Sequence, residues 1–380
     1  MSKNTKLLYS PALRMKAGEL EGVRLLASDV AECILPRFIV PPSGERDDST
    51  LPLLDLDRAP DISILGRYWQ QRPALIDCSY IVDEFGRDRS PHWLPAMFER
   101  VRKKQVYAIP AASLNDILDC ADAFRTAIDR SSAVKFGFIV PSDDMVGPEF
   151  NSAISEALGK LELAAADCVA IADFANSEFS DPIIVAEIVG GALETLQEAG
   201  LWQGVIFQGS NYPDKNPVSE IGGVEFWPRN EWRAWRRAVK LDPTTADHLI
   251  FGDYAADTAL IKFGGKGGKV IPHIRYTSGD QWRVERGPSK GKRSDSIHAV
   301  YVGIATSSDF AGANFSEADA YIAHAAANPS APHGSGKEWR QLNTTHHITQ
   351  VVDDIAKVKG VEIRRSPTEA MVQMPLLLDS

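Results

Sequence analysis

Val134-Lys135-Phe136-Gly137-Phe138-Ile139-Val140, halted by Pro141-Ser142-Asp143-Asp144, leads into a helix-periodic stretch over 150–163 and then into Cys168-Val169-Ala170-Ile171-Ala172-Asp173, and this passage decides the fold. The first run is β-branched and aromatic and reads as a strand; the stretch after the turn reads as an amphipathic helix. The second run is nearly all apolar, as a strand buried on both faces should be. Working outward, apolar runs of the same kind stand at 7–15, 34–40, 74–79, 106–111, 134–140, 168–174, 204–209 and 248–254, and most precede a helical stretch. Eight strand–helix units are what a parallel barrel needs to close and so to lose its edges. The expected fold is therefore α/β, a (β/α)8 TIM-barrel-like unit over 1–261, with a doubly wound open sheet as the competing arrangement. In such a barrel the site lies at the carboxyl ends of the strands.

Beyond the eighth run the pattern changes. Gly264-Gly265-Lys266-Gly267-Gly268-Lys269 leads into 270–277, a turn at Ser278-Gly279-Asp280 and a second run over 281–286, which together predict a β-hairpin. Helices are expected over 316–328, opened by a Ser316 cap with Asp319 three residues on, and over 339–358. The hairpin and helices of 262–380 are expected to pack on the barrel as part of one structural domain and to cover its mouth. The turn-rich segment 41–72 reads as a loop excursion over the same mouth.

Composition bounds the function. Of 380 residues 44% are hydrophobic and 24% charged, as in an ordinary globular protein, and no apolar run is long enough to span a membrane. The start, Met1-Ser2-Lys3-Asn4-Thr5-Lys6, runs into a strand-like stretch without a cleavage site, so no signal peptide is expected. Cys33, Cys78, Cys120 and Cys168 are widely separated and read as reduced core residues, which places the protein in the cytoplasm. A net charge of −10 argues against non-specific nucleic-acid binding by the whole surface. Yet nine cations against two acids fall between Lys262 and Arg293, so anion affinity is concentrated there.

Tyr9-Ser10-Pro11-Ala12-Leu13-Arg14-Met15-Lys16-Ala17-Gly18-Glu19-Leu20 resembles the opening pattern of the beta protein family, named for a tailed-phage protein and widespread in bacterial genomes. Gly336-Lys337-Glu338-Trp339-Arg340, followed by Thr345-His346-His347-Ile348-Thr349, is similar to the other recurring pattern of that family. Arg14 stands where the family usually has a lysine, which keeps the charge and changes its geometry. The resemblance implies phage and bacterial kin, and through them a role in phage–host conflict, but it carries no agreed activity.

Polar groups at or just past strand ends are the candidate site: Arg14, Lys16 and Glu19; Asp77; Asp143 and Asp144; Asp173; Gln208 and Ser210; Asp253 and Tyr254. Asp77, Asp173 and Asp253 each end an otherwise apolar run, and carboxylates converging from separate strands suit a divalent cation such as Mg2+ or Mn2+, or general acid–base work. The simpler reading of each is as the cap of the helix that follows or a loop salt bridge. His346 and His347, being adjacent, cannot easily ligate one ion; after Asn343-Thr344-Thr345 they read as a first helical turn, where an anion is met, or as packing. In the basic hairpin, Arg275, Tyr276, Trp282 and Arg283 interleave cations with rings, a combination suited to nucleotides or single strands. Lys266 among its glycines reads as a phosphate cradle or a solvated approach to the hairpin, without the order of a P-loop. Along Trp232-Arg233-Ala234-Trp235-Arg236-Arg237, helical spacing predicts one core tryptophan and a solvated cationic face.

No Gly-x-Ser-x-Gly elbow and no dinucleotide fingerprint is present. The expectation is a phosphate-bearing ligand, nucleotide or nucleic acid, bound at the mouth by Arg14, Lys16, Glu19, Arg275, Tyr276, Trp339, Arg340, His346 and His347, with Asp77, Asp173 and Asp253 as catalytic groups for metal-assisted phosphoester hydrolysis. The alternative is a non-catalytic binding or assembly component with a protein partner at the same face.

Overall fold

Every one of the eight apolar runs overlaps a strand of one parallel sheet. The strands in chain order are β1 (Ala12–Arg14), β2 (Arg37–Ile39), β3 (Pro73–Asp77), β4 (Tyr107–Ser113), β5 (Phe136–Pro141), β6 (Cys168–Asp173), β7 (Gly204–Gln208), β8 (Val224–Pro228), β9 (Leu249–Gly252), β10 (His273–Ser278) and β11 (Gln281–Arg286). In this computed structural model, which describes residues 7–42, 60–175, 177–219, 222–260, 271–288 and 291–363, β1 to β7 and then β9 pair in sequence order. The ring closes through Tyr9, which bridges both Ile34 and Phe251, and through the Ser10 and Ala12 amides, which donate to the Phe251 and Asp253 carbonyls. The chain is thus a TIM-like barrel flanked by helices, and the open sheet is set aside. The glycine–lysine string with Lys266, and most of the 41–72 excursion, lie outside the described residues.

Side-chain alternation sorts each strand into two columns. Outward residues such as Ala74, Ile76, Cys168, Ala170 and Phe251 join the large core beneath the helices. Inward residues Leu35, Leu75, Ile109, Ile139, Val169, Ile171 and Ile206 form a separate aliphatic plug. Continuing those inward columns by two residues turns Leu35 into Arg37, Leu75 into Asp77, Ile171 into Asp173 and Ile206 into Gln208. The barrel interior therefore changes from hydrocarbon to charge toward its carboxyl end. At the amino end it opens instead into a cavity of about 820 Å³ floored by Leu35, Ile109, Val169 and Ile250.

The helices obey their sequence signals. Pro182–Ala199 starts on Asp181, whose carboxylate accepts from the Ile183 amide at 2.8 Å, with proline in the first turn. Glu317–Ala327 starts on Ser316 as expected. In Asn230–Leu241 both Trp232 and Trp235 are buried and stacked on each other, where spacing had predicted one. The four cysteines are free and buried.

Two features of the segment beyond the barrel were not foreseen. The hairpin β10–β11 forms around Gly279, whose φ of +52° favours a glycine, but β8, from between two barrel strands, adds a third antiparallel strand at the β11 edge. The last helix, Gly336–Lys359, returns to pack on the first, Ala17–Arg24, so closely that a Cβ at Gly18 would lie 2.6 Å from the Lys337 carbonyl oxygen. One at Gly22 would lie 2.7 Å from the Thr344 Cβ.

Candidate functional site

The innermost layer of the mouth is built on Arg37, a cation in the middle of the apolar run 34–40 and the first residue of β2. Its Nε and Nη2 donate to Asp77 Oδ2 at 3.0 and 2.8 Å, and its Nη1 donates to Asp173 Oδ2 at 2.8 Å. Burial works against the guanidinium charge, but Asp77 and Asp173 more than restore it, holding the Arg37 pKa well above its ordinary value. Both carboxylates use their other oxygen locally. Asp77 Oδ1 accepts from the Ser79 amide and hydroxyl at 2.9 and 2.6 Å; Asp173 Oδ1 accepts from the Ala175 amide at 3.0 Å and the Tyr254 hydroxyl at 2.9 Å. Each aspartate thus both turns the chain and holds Arg37, Asp77 from the neighbouring strand and Asp173 from across the barrel. The residues do not fit a metal between them: the oxygens that would face a cation already hold Arg37. Among the described residues no group of three His, Cys, Asp or Glu is placed to hold a metal.

Above this lies a rim drawn from distant parts of the chain. Arg14 ends β1, Glu19 sits in the first turn of Ala17–Arg24, Asp257 follows β9, Arg275 lies in β10 and Arg340 in the last helix. Glu19 Oε1 accepts from Arg14 Nε at 3.4 Å and from Arg340 Nη1 at 3.1 Å. Asp257 Oδ2 pairs with both Arg14 and Arg340, while its Oδ1 accepts from Arg275 Nη1 at 2.5 Å. Three guanidinium groups therefore share two carboxylates. Burial, then Arg340, pushes the Arg275 pKa down to about 10 against the pull of Tyr212, over whose ring its guanidinium sits at 4.4 Å. Arg14 is lowered likewise, chiefly by burial, with Arg340 and Arg275 adding to the effect and Glu19 opposing it. Lys16 is half-buried at the cap position of Ala17–Arg24, so one more cation stands at the positive end of that helix. Tyr80, 37% exposed, lies between the layers, its hydroxyl made less acidic by burial and then by Asp77.

Asp257 reaches the rim through an unusual backbone. Ala255 and Ala256 have φ of +48° and +61°, consecutive left-handed residues that are not glycine. Such a conformation costs about 1 kcal/mol or more per residue and persists only where surrounding contacts impose it. Here the Ala256 carbonyl accepts from Arg275 at 2.9 Å and the Asp257 carbonyl from the Ser210 hydroxyl at 2.8 Å.

The third strand-end aspartate goes elsewhere. Asp253 continues the outward column of Leu249 and Phe251, is 1% exposed, and faces the last helix. Its Oδ1 accepts from the Tyr9 hydroxyl and, at 2.9 Å, from the Ala255 amide; its Oδ2 lies 2.9 Å from His347 Nε2. His347 Nδ1 lies 2.7 Å from the Thr277 hydroxyl. Thr277–His347–Asp253 has the connectivity of a hydrolase triad, but the Thr277 side chain is as buried as the aspartate and does not face the barrel mouth's open surface. The structure therefore unites Asp77 with Asp173 and separates Asp253 from both.

His346 and His347 lie well inside a helix that begins at Gly336, after a Ser335–Glu338 capping box, so no helix N-terminus offers them an anion. His346 is wedged between Asp319, 3.0 Å from its Nδ1, and the Thr277 carbonyl, 2.8 Å from its Nε2, with Tyr276 stacked on it at 3.8 Å. The Tyr276 hydroxyl donates to Asp319 at 2.6 Å and the Trp339 indole to the His333 carbonyl at 3.0 Å. Tyr276, Trp282 and Trp339 are all buried, so none of these rings is a platform for a base. Among the described hairpin residues, Arg283 pairs with Glu285 and Asp309, Arg286 donates to the Val218 carbonyl at 3.0 Å, and Arg275 turns to the mouth.

Sequence reasoning missed Arg37 and Asp257. Arg37 had a signal, because it continues the inward column of Leu35; Asp257 had none, because only the two left-handed alanines carry it back over the mouth.

The two sequence patterns that bracket the chain meet here in space. Gly18 admits the backbone of Lys337, Glu19 holds Arg340 across 321 residues, and Tyr9 joins His347 through Asp253. No curated protein matches the chain. The family model described as Beta protein matches residues 9–353, nearly its whole length, and the chain belongs to that family.

Proposed function

We propose that the barrel mouth binds a small phosphate-bearing ligand, with Arg14, Arg275 and Arg340 as its contacts. The observation that carries this reading is the imbalance at the rim, where three guanidinium groups share the carboxylates of Glu19 and Asp257. Clustered arginines at a partly closed mouth are strong hydrogen-bond donors to phosphoryl oxygens. Lys16 at a helix N-terminus adds to the same field. The proposal stops at binding, because Arg37 lies where metal-assisted hydrolysis by Asp77 and Asp173 would need a cation. A small ligand is favoured over a nucleic-acid strand, since the hairpin rings are buried. Buried reduced cysteines are in keeping with a cytoplasmic setting. Any part in phage–host conflict rests on family kinship alone.

Calorimetric titration with a nucleoside monophosphate, a nucleoside triphosphate and a sugar phosphate tests the reading. At least one should bind, more weakly as salt rises, and Arg340→Ala should lower its affinity roughly ten- to a hundredfold, the effect of losing a charged hydrogen bond. Absence of binding by all three, or binding indifferent to Arg14→Ala and Arg340→Ala, overturns it.

A further inference from the structure

We infer that Asp257 is the specificity-determining group of the mouth: its carboxylate stands in the place of the ligand's terminal phosphoryl group, and a phosphomonoester displaces it. The inference rests on the reading of the mouth as an anion site and names which anion it takes. Three arginines from β1, β10 and the last helix converge on this one side chain, which is only 6% exposed. Two consecutive left-handed alanines hold it there, a backbone that the loop adopts without the help of a glycine. Asp257 is not needed to anchor the arginines. Arg14 and Arg340 keep Glu19 Oε1, and Arg275 keeps the Ala256 carbonyl and the face of Tyr212. If the carboxylate swings aside, the three guanidinium groups remain in place facing one position.

Oxygen count then sets the ligand class. A carboxylate offers two oxygens to three guanidinium groups, so Arg14 and Arg340 must share Oδ2. A terminal phosphoryl group offers three oxygens and close to two negative charges, one oxygen for each arginine. A phosphodiester has only two free oxygens and a single charge, no better a match than Asp257 itself. The mouth is therefore built for a monoester and discriminates against the internal phosphates of a nucleic acid.

Calorimetry of the full chain with phenyl phosphate and with methyl phenyl phosphate, on wild type and on Asp257→Asn, tests this. Wild type should bind the monoester at least tenfold more tightly than the diester. Asp257→Asn should bind the monoester at least tenfold more tightly than wild type, because the ligand no longer competes with an internal charge. Equal affinity for the two esters overturns the inference, as does weaker or unchanged monoester binding by a folded Asp257→Asn chain; in both cases an anion site that Arg340→Ala abolishes still stands. If neither protein binds either ester, the inference is overturned, and the titration with nucleotides and sugar phosphate decides separately whether the anion site stands. The wild-type comparison of the two esters decides the matter even where the variant does not fold.

Discussion

Asp253 and Asp257 lie four residues apart on one loop, and their surroundings are opposite. Asp253 is enclosed by a tyrosine hydroxyl, a histidine and a backbone amide, in an outward pocket shut by the last helix. Asp257 is enclosed by three guanidinium groups at the rim of the mouth. A carboxylate whose partners are uncharged or weakly basic and fully buried is a clamp: nothing can replace it without leaving those partners unsatisfied. A carboxylate outnumbered by arginines that have other partners is replaceable. The same residue type thus holds the fold together in one place and tunes recognition in the other.

The largest way to break that contrast is Asp253→Ala. Removing the carboxylate leaves the Tyr9 hydroxyl, the Ala255 amide and His347 without it in a buried site, at about 1–3 kcal/mol for each unsatisfied group, so urea denaturation should show a loss of several kcal/mol. Phosphate-ester binding by the folded fraction should be unchanged. A loss below about 1 kcal/mol would remove Asp253 from the role of clamp.

Gly22→Ala comes next, because the seam between the first and last helices supports both aspartate sites. In an open helix this change gains stability, whereas here the new methyl meets Thr344 at 2.7 Å. Thermal denaturation should show a loss of about 1–3 kcal/mol, the usual cost of overpacking. A gain would mean that the helices can part freely.

The smallest effect is in the pH dependence. Burial lowers the His347 pKa, with Asp253 opposing, and burial followed by Arg275 pushes His273 to about 4. Both rings take up protons more readily in the unfolded chain, so stability is full above the ordinary histidine pKa of about 6.5 and is lost as pH falls below it. For Asp253 burial raises the pKa, but His347, Arg229 and Tyr9 outweigh it, and the net direction is down. Its contribution is present above the ordinary carboxylate value of about 4 and lost below it. Burial, against the pull of Arg229, pushes Glu231 up to about 8, so its contribution rises as pH falls and offsets part of the histidine loss; melting temperatures recorded from pH 7 to 5 should still fall, and His347→Gln should flatten the slope. An unaltered slope in that variant would assign the effect to His273 alone.

Much of the fold was legible because its signals are local. Alternation and turn residues mark each strand within a few positions, and all eight runs became barrel strands in order. β8 escaped because Val224–Pro228 is largely exposed and gains its strand identity only by pairing with β11. At the site, Arg14, Glu19, Arg275 and Arg340 were named from the chain and did converge. Asp253 was grouped with Asp77 and Asp173 because all three end apolar runs. Its parity, opposite to theirs, sends it out of the barrel.

The amino-acid sequence by itself determined the count of strands and the end of the barrel where charge would collect. These follow from periods of two and 3.6 residues, which act over a few neighbours. Only the tertiary structure decided that Arg37 stands between Asp77 and Asp173, that Asp253 serves the clamp, and that Asp257 is carried back among three arginines. Those outcomes depend on contacts spanning as many as 321 residues, which form only once the ring has closed and the last helix has returned to the first.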